Sequence, residues 1–100
     1  MNEKNFPLSK EQTLALIERY PTPFHIYDEA KIRANFRRLR DAFAWVPSFR
    51  EHFAVKALPN PRIVQLLHEE GAGTDCSSIA ELIISEAAGA MGEEIMLTSN

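Results

Sequence analysis

Cysteine is nearly missing from this sequence: Cys76 stands alone among 100 residues. A single thiol closes no internal disulfide, so a disulfide-stapled secreted scaffold is excluded and a reducing, cytoplasmic setting is expected. Long apolar runs are missing too. None approaches the roughly 20 residues of a membrane-crossing helix, and "MNEKNFPLSKEQ" has no apolar stretch of the kind that makes a secretory signal. There is no basic excess. Eleven Lys and Arg face 14 Asp and Glu, for a formal net charge of -3 and a pI near 5.6. That balance argues against a surface built to grip nucleic acid or anionic membranes. No GxGxxG, Walker or HExxH pattern occurs. His25, His52 and His68 have no metal-ligand spacing with one another or with Cys76, and they read as surface or packing residues.

What is present suits one small globular domain: 45% hydrophobic and 25% charged residues in an ordinary mixture. "SKEQTLALIERY" opens with Ser9 and Gln12 in a capping-box pattern, then places Leu14, Ile17 and Tyr20 at helical spacing. Pro21 and Pro23 end that helix. "FHIYD" is a strand candidate through Phe24, Ile26 and Tyr27. Asp28 is placed to cap a helix in which Ile32, Phe36, Leu39 and Phe43 share a face. The basic residues Lys31, Arg33, Arg37, Arg38 and Arg40 lie largely elsewhere. They read either as a binding surface or as a solvated face.

From Glu51 the order is strand, helix, strand, helix, strand, with short connections, which is the pattern of βαβ units and a parallel sheet. "EHFAVKAL" is the first of these strands. Asn60 caps "PRIVQLLHEEG", with Pro61 in its first turn, Ile63, Val64, Leu66 and Leu67 on its apolar face and Gly71 as its stop. "GTDCS" is a short strand. Ser78 and Glu81 form a second capping box opening "SIAELIISEAAGA", which ends at Gly89 and Gly92. "EIMLTSN" is the last strand and reaches Asn100 with nothing to close it, so a piece of a longer fold is expected. The division expected is a lead-in of helix, strand and amphipathic helix over 1–48, and the βα units over 49–100.

Strand alternation puts Ala54 and Lys56 on one face and Phe53 and Val55 on the other, packed beneath helices. Lys56 then sits late in its strand, at the end of a parallel sheet where active sites collect. A lysine desolvated there becomes a nucleophile suited to carbonyl chemistry. The alternative is a lysine that snorkels to solvent. Asp75 lies at the matching end of the next strand, either to pair with the Lys56 ammonium or as a turn residue. Glu81 is accounted for by the capping box itself. Ser77 and Ser78 suit phosphate binding or capping. Cys76 reads as a small buried residue, because no histidine is placed to activate it.

"FAVKALPNP", "GAGTDCSSIAEL" and "IMLTSN", in that order and spacing, resemble the fold-type III pyridoxal-phosphate decarboxylases, the group of diaminopimelate, ornithine and arginine decarboxylases. "TPFHIYDEAKIRANFRRLRDAF" is similar to their usual opening. The resemblance covers roughly residues 20 to 100. It implies an α/β fold, the N-terminal portion of a pyridoxal-phosphate-binding (β/α)8 TIM barrel of the alanine racemase type. It also implies a β-rich second domain beyond, which the "TPFHIYD" strand often joins.

Carried onto this chain, the resemblance makes Lys56 the lysine that forms the Schiff base with pyridoxal 5'-phosphate. It makes Asp75 an active-site aspartate near that lysine, Glu81 a glutamate that helps set the site, Ala54 a small residue lining the cofactor, and Asn100 the asparagine of an "HGN" element. The chain departs from its relatives at Leu58, where many carry the polar residue of "VKAN", at Ala80, where many carry glycine, and at "TSN" in place of "HGN". The implied activity is decarboxylation of an amino acid, most specifically meso-diaminopimelate to L-lysine in lysine biosynthesis, by a cytoplasmic homodimer. The alternatives are an ornithine, arginine or carboxynorspermidine decarboxylase, or a catalytically silent homologue that binds partner proteins.

Overall fold

Helices form where the chain supplies its own caps. The computed structural model describes residues 5–98. Helix α1, Lys10–Arg19, starts at a complete capping box: Ser9 Oγ accepts from the Gln12 N–H at 3.1 Å, and Gln12 Oε1 accepts from the Ser9 N–H at 2.9 Å. Helix α2, Glu29–Ala42, is capped by Asp28, whose Oδ1 accepts from the Lys31 N–H at 3.0 Å. Helix α3, Pro61–Glu69, is capped by Asn60 Oδ1, which accepts from the N–H groups of Arg62 and Ile63. Its first residue is proline, whose missing N–H costs nothing there. Gly71 closes α3 at φ +105°, a backbone state that side chains resist.

Strands β1 (His52–Ala54), β2 (Gly73–Cys76) and β3 (Ile95–Leu97) make a parallel sheet in that order. Cα partners run His52–Gly73, Phe53–Thr74 and Ala54–Asp75, then Thr74–Ile95, Asp75–Met96 and Cys76–Leu97. Helix α3 crosses from β1 to β2, and α4 (Ile79–Ala87) from β2 to β3. The second capping box expected at α4 is only half formed. Ser78 Oγ accepts from the Glu81 N–H, but Glu81 Oε2 accepts a hydrogen bond from the Ser78 hydroxyl at 2.6 Å rather than from the Ser78 backbone N–H.

The core lies between sheet and helices in two clusters that share Phe53. One gathers Phe36, Ile63, Leu66, Leu67 and Ala72; the other gathers Val55, Val64, Cys76 and Ala88. Gly73 is fixed by crowding, since a Cβ there would stand 2.5 Å from the His52 ring and 2.6 Å from the Glu94 carbonyl oxygen. His52 lies over it and donates from Nδ1 to Thr74 O at 3.2 Å.

The basic residues of α2 lie mostly on an exposed face, as the solvated reading expects, and Arg33, Arg37 and Arg40 also tie α2 to the end of α3. Arg33 reaches Glu29 at 3.0 Å, Glu69 at 2.7 Å and Glu70 at 3.0 Å. Arg37 grips Glu70 with two bonds of 2.7 and 2.6 Å. The fork of Arg37, and then the bond from Arg33, hold the Glu70 carboxyl down to about 2. The bonds to Glu69, Glu70 and Glu29 push Arg33 higher still.

No strand forms over Phe24–Tyr27, contrary to expectation. A strand needs a partner for its backbone groups, and among the described residues none pairs there. Phe24, His25 and Ile26 instead line a cleft of about 440 Å³ with Leu16, Tyr20 and Pro21.

Candidate functional site

Strand β1 stops at Ala54, two residues before the lysine. Val55–Ala57 form a 3-10 turn, so the expectation that Lys56 continues the strand is corrected. The cause is packing. A 3-10 turn has three residues per turn, so residues three apart point the same way. Val55 is fully buried against Val64, Cys76 and Ala88, and Leu58 packs on the cluster around Phe36 and Ile63. The Leu58 N–H closes the turn on Val55 O at 3.1 Å. With both ends drawn into the core, Lys56 and Ala57 are displaced into solvent, so the desolvated lysine expected from the strand reading is corrected to one that reaches solvent. Leu58, the departure from the polar residue of many relatives, is an apolar anchor for the turn that carries Lys56.

Beside that turn, Ala54 and Asp75 are register neighbours across β1 and β2, and Asp75 and Met96 across β2 and β3. These three share one face of the sheet, while Thr74 and Cys76 are buried on the other. Ala54 and Asp75 are half-buried, so the face is open at the lysine's end.

The Lys56–Asp75 pair suggested by the sequence does not form. Among the described residues Lys56 makes no ion pair. Asp75 Oδ1 accepts instead from Thr98 Oγ1 at 2.5 Å. Thr98 is the site residue that sequence reasoning passed over. Its signal was positional: it lies two residues past Met96, on the face Asp75 occupies, in the "TSN" that differs from "HGN".

Glu81 is buried in the first turn of α4. Its Oε2 takes the Ser78 hydroxyl, and its Oε1 is buried without a hydrogen-bond partner among the described residues. A buried carboxylate oxygen left unpaired is costly unless a donor completes it. Ser78 is fully engaged as the cap. Cys76 is buried with its Sγ 3.2 Å from Ser85 Oγ, as a packing residue. His68, read as a surface or packing residue, has a specific partner: its Nε2 donates to Glu94 Oε2 at 2.9 Å. The Met91 N–H and then His68 hold the Glu94 carboxyl below the usual range. Asn100 lies outside the described residues.

These groups fit pyridoxal phosphate. An exposed, unpaired amine stands at a strand end, beside a small residue and a carboxylate on an open sheet face. Nearby in sequence, the buried glutamate oxygen lacks a donor.

Known proteins are similar to this chain in sequence and in fold. "Protein TabA" of Pseudomonas amygdali pv. tabaci is 53% identical over 95 residues, which are 95% of this chain and 21% of that protein. Diaminopimelate decarboxylase of Thermoplasma acidophilum is 36% identical over 85 residues, 85% of this chain and 21% of that one. The crystal structure of lysine decarboxylase from Selenomonas ruminantium superposes with a TM-score of 0.79 at 32% identity, covering 94% of this chain and 24% of that one. The chain thus spans about a fifth of the length of the curated relatives it matches. The family model described as "Pyridoxal-dependent decarboxylase, pyridoxal binding domain" matches residues 29–100. The parallel βαβαβ array, the lysine turn beside Ala54 and Asp75, and this match over most of the chain make it a member of the pyridoxal-dependent decarboxylase family, within the pyridoxal-binding domain and the N-terminal part of its barrel.

Proposed function

We propose that the full-length protein is a pyridoxal-phosphate-dependent amino-acid decarboxylase and that its substrate is meso-diaminopimelate, converted to L-lysine. The observation that carries this reading is the placement of Lys56, on a turn at the C-terminal end of β1 beside the Ala54–Asp75 register pair, within the residues matched by the pyridoxal-binding domain. Lys56 Nζ would hold the cofactor and is the amine placed to carry a proton there. Ala54 leaves room beside it. Asp75 supplies the negative charge next to the bound group, Glu81 offers its unpaired oxygen, and Asn100, two positions past Thr98, completes the set. The cofactor, when bound, supplies the electron sink that makes loss of carbon dioxide feasible.

The choice of substrate is supported by the diaminopimelate decarboxylase named among the relatives at 36% identity. A second reading, decarboxylation of lysine or a related diamino acid, is favoured by the likeness to the Selenomonas enzyme. The test has two steps. The full-length protein is loaded with pyridoxal phosphate, reduced with borohydride and mapped by peptide mass spectrometry; the label is expected on Lys56. A label elsewhere, or none, overturns the reading. Product analysis on meso-diaminopimelate, lysine, ornithine and arginine then separates the substrates, with free lysine from diaminopimelate as the expected result.

A further inference from the structure

We propose that Thr98 is a positioning residue, whose hydroxyl fixes the Asp75 carboxylate beside the lysine that binds the cofactor. The proposal rests on the reading of Lys56 and Asp75 given above. Thr98 Oγ1 donates to Asp75 Oδ1 at 2.5 Å, in the short range of a hydroxyl bonded to an ionised acceptor. Neither backbone is loose. The Thr98 N–H donates to Cys76 O at 2.8 Å, extending the parallel ladder one step beyond Leu97. Asp75 lies in the central strand, paired on both sides. The third strand therefore delivers a donor to the carboxylate of the second.

The bond occupies Oδ1 and leaves Oδ2 without a partner among the described residues, open to a cationic group. Thr98 is exposed and packs in neither core cluster, so its hydroxyl has little to do for stability. Without that bond the carboxylate is free to turn about its terminal torsion, which is broad. Asp75 would then present no fixed oxygen to the bound group.

The test compares wild type, T98V, T98S, D75A and the D75A/T98V double variant as full-length proteins. Each is loaded with pyridoxal phosphate across a pH series and reduced with borohydride, and the rate of labelling at Lys56 is read by mass spectrometry. T98V, which keeps the shape and loses the hydroxyl, should slow labelling about three- to tenfold, the loss expected of a bond to a charged acceptor in a partly solvated place. T98S should stay within about twofold of wild type, because it restores the donor. In the D75A background, which removes the acceptor, T98V should add nothing further, since Thr98 acts through Asp75. Unfolding midpoints should match throughout; should T98V lower its own, T98A takes its place under the same criteria. Wild-type labelling rate and pH profile in T98V, or further slowing by T98V in the D75A background, overturns the proposal. If wild type itself carries no label on Lys56, the reading of the site falls and this role with it. If wild type is labelled and T98V behaves identically, only the role of Thr98 falls.

Discussion

Helices α1 and α3 are nearly the same length, ten and nine residues, and both begin at a well-made cap. Helix α3 buries Ile63, Val64, Leu66 and Leu67, whereas α1 buries nothing and leaves Leu14, Ile17 and Tyr20 about half exposed. The contrast separates what makes a helix from what makes a core. Caps and periodicity suffice for the first. Burial requires a surface to receive the apolar face, which α3 finds between the sheet and Phe36 of α2, and which α1 does not find among the described residues. The site follows the same division: Lys56, Ala54, Asp75 and Glu81 all belong to the array with the core, and none to the lead-in.

If that comparison is right, substitutions in the array and in the lead-in should differ in kind. The largest effect belongs to Lys56. K56A in the full-length protein should lower the rate of carbon dioxide release roughly 10³-fold, as loss of a proton-carrying group does. Its stability to denaturant should move by less than about 0.5 kcal/mol, because the side chain is exposed. Phe53 tests the core, since it packs against both clusters. F53A should cost about 3 kcal/mol, the low end for a phenylalanine truncation, read from urea unfolding. A cost well under 1 kcal/mol would mean that the two clusters do not depend on it.

Glu70 tests the seam between α2 and the array. Its carboxyl is held at about 2 in the folded protein against an ordinary value of 4.5. The folded state therefore binds fewer protons there than the unfolded chain. The contribution of Glu70 is fully present above about pH 4.5 and is lost as pH falls toward 2. E70Q should flatten acid unfolding over that window, while wild type loses stability steadily through it. The smallest effect belongs to α1. S9A removes half of its capping box, worth about 1 kcal/mol to the helix. Faster hydrogen exchange at α1 amides is expected, with the midpoint of global unfolding unchanged. A shifted midpoint would break the comparison by tying α1 to the core.

Much of this was legible because it is local. Ser9, Asp28, Asn60 and Ser78 announce helix starts through short-range bonds between side chain and backbone, and the structure has each of them. The alternation of helix and strand from Glu51 onward implies a parallel sheet, because short connections through helices leave few other arrangements. The errors share one cause. "FHIYD" has the residues of a strand but no partner strand among the described residues. Lys56 has strand neighbours, but Val55 buried in one cluster and Leu58 packed on the other close a turn around it. The arginines spent on Glu69 and Glu70 likewise depend on groups whose meeting short-range spacing does not dictate.

By itself, then, the sequence determined the helix caps, the βαβαβ order and the candidacy of Lys56 and Asp75, since each rests on residues close along the chain or on strand alternation. Only the tertiary structure decided that Lys56 rides a turn outside the strand, that Leu58 anchors it, and that Asp75 is bonded to Thr98 and not to the lysine. Those outcomes depend on which surfaces bury and which strands lie side by side. Asp75 and Thr98 stand 23 positions apart in the chain, and they meet only because α4 and β3 fold between them and bring the third strand alongside the second.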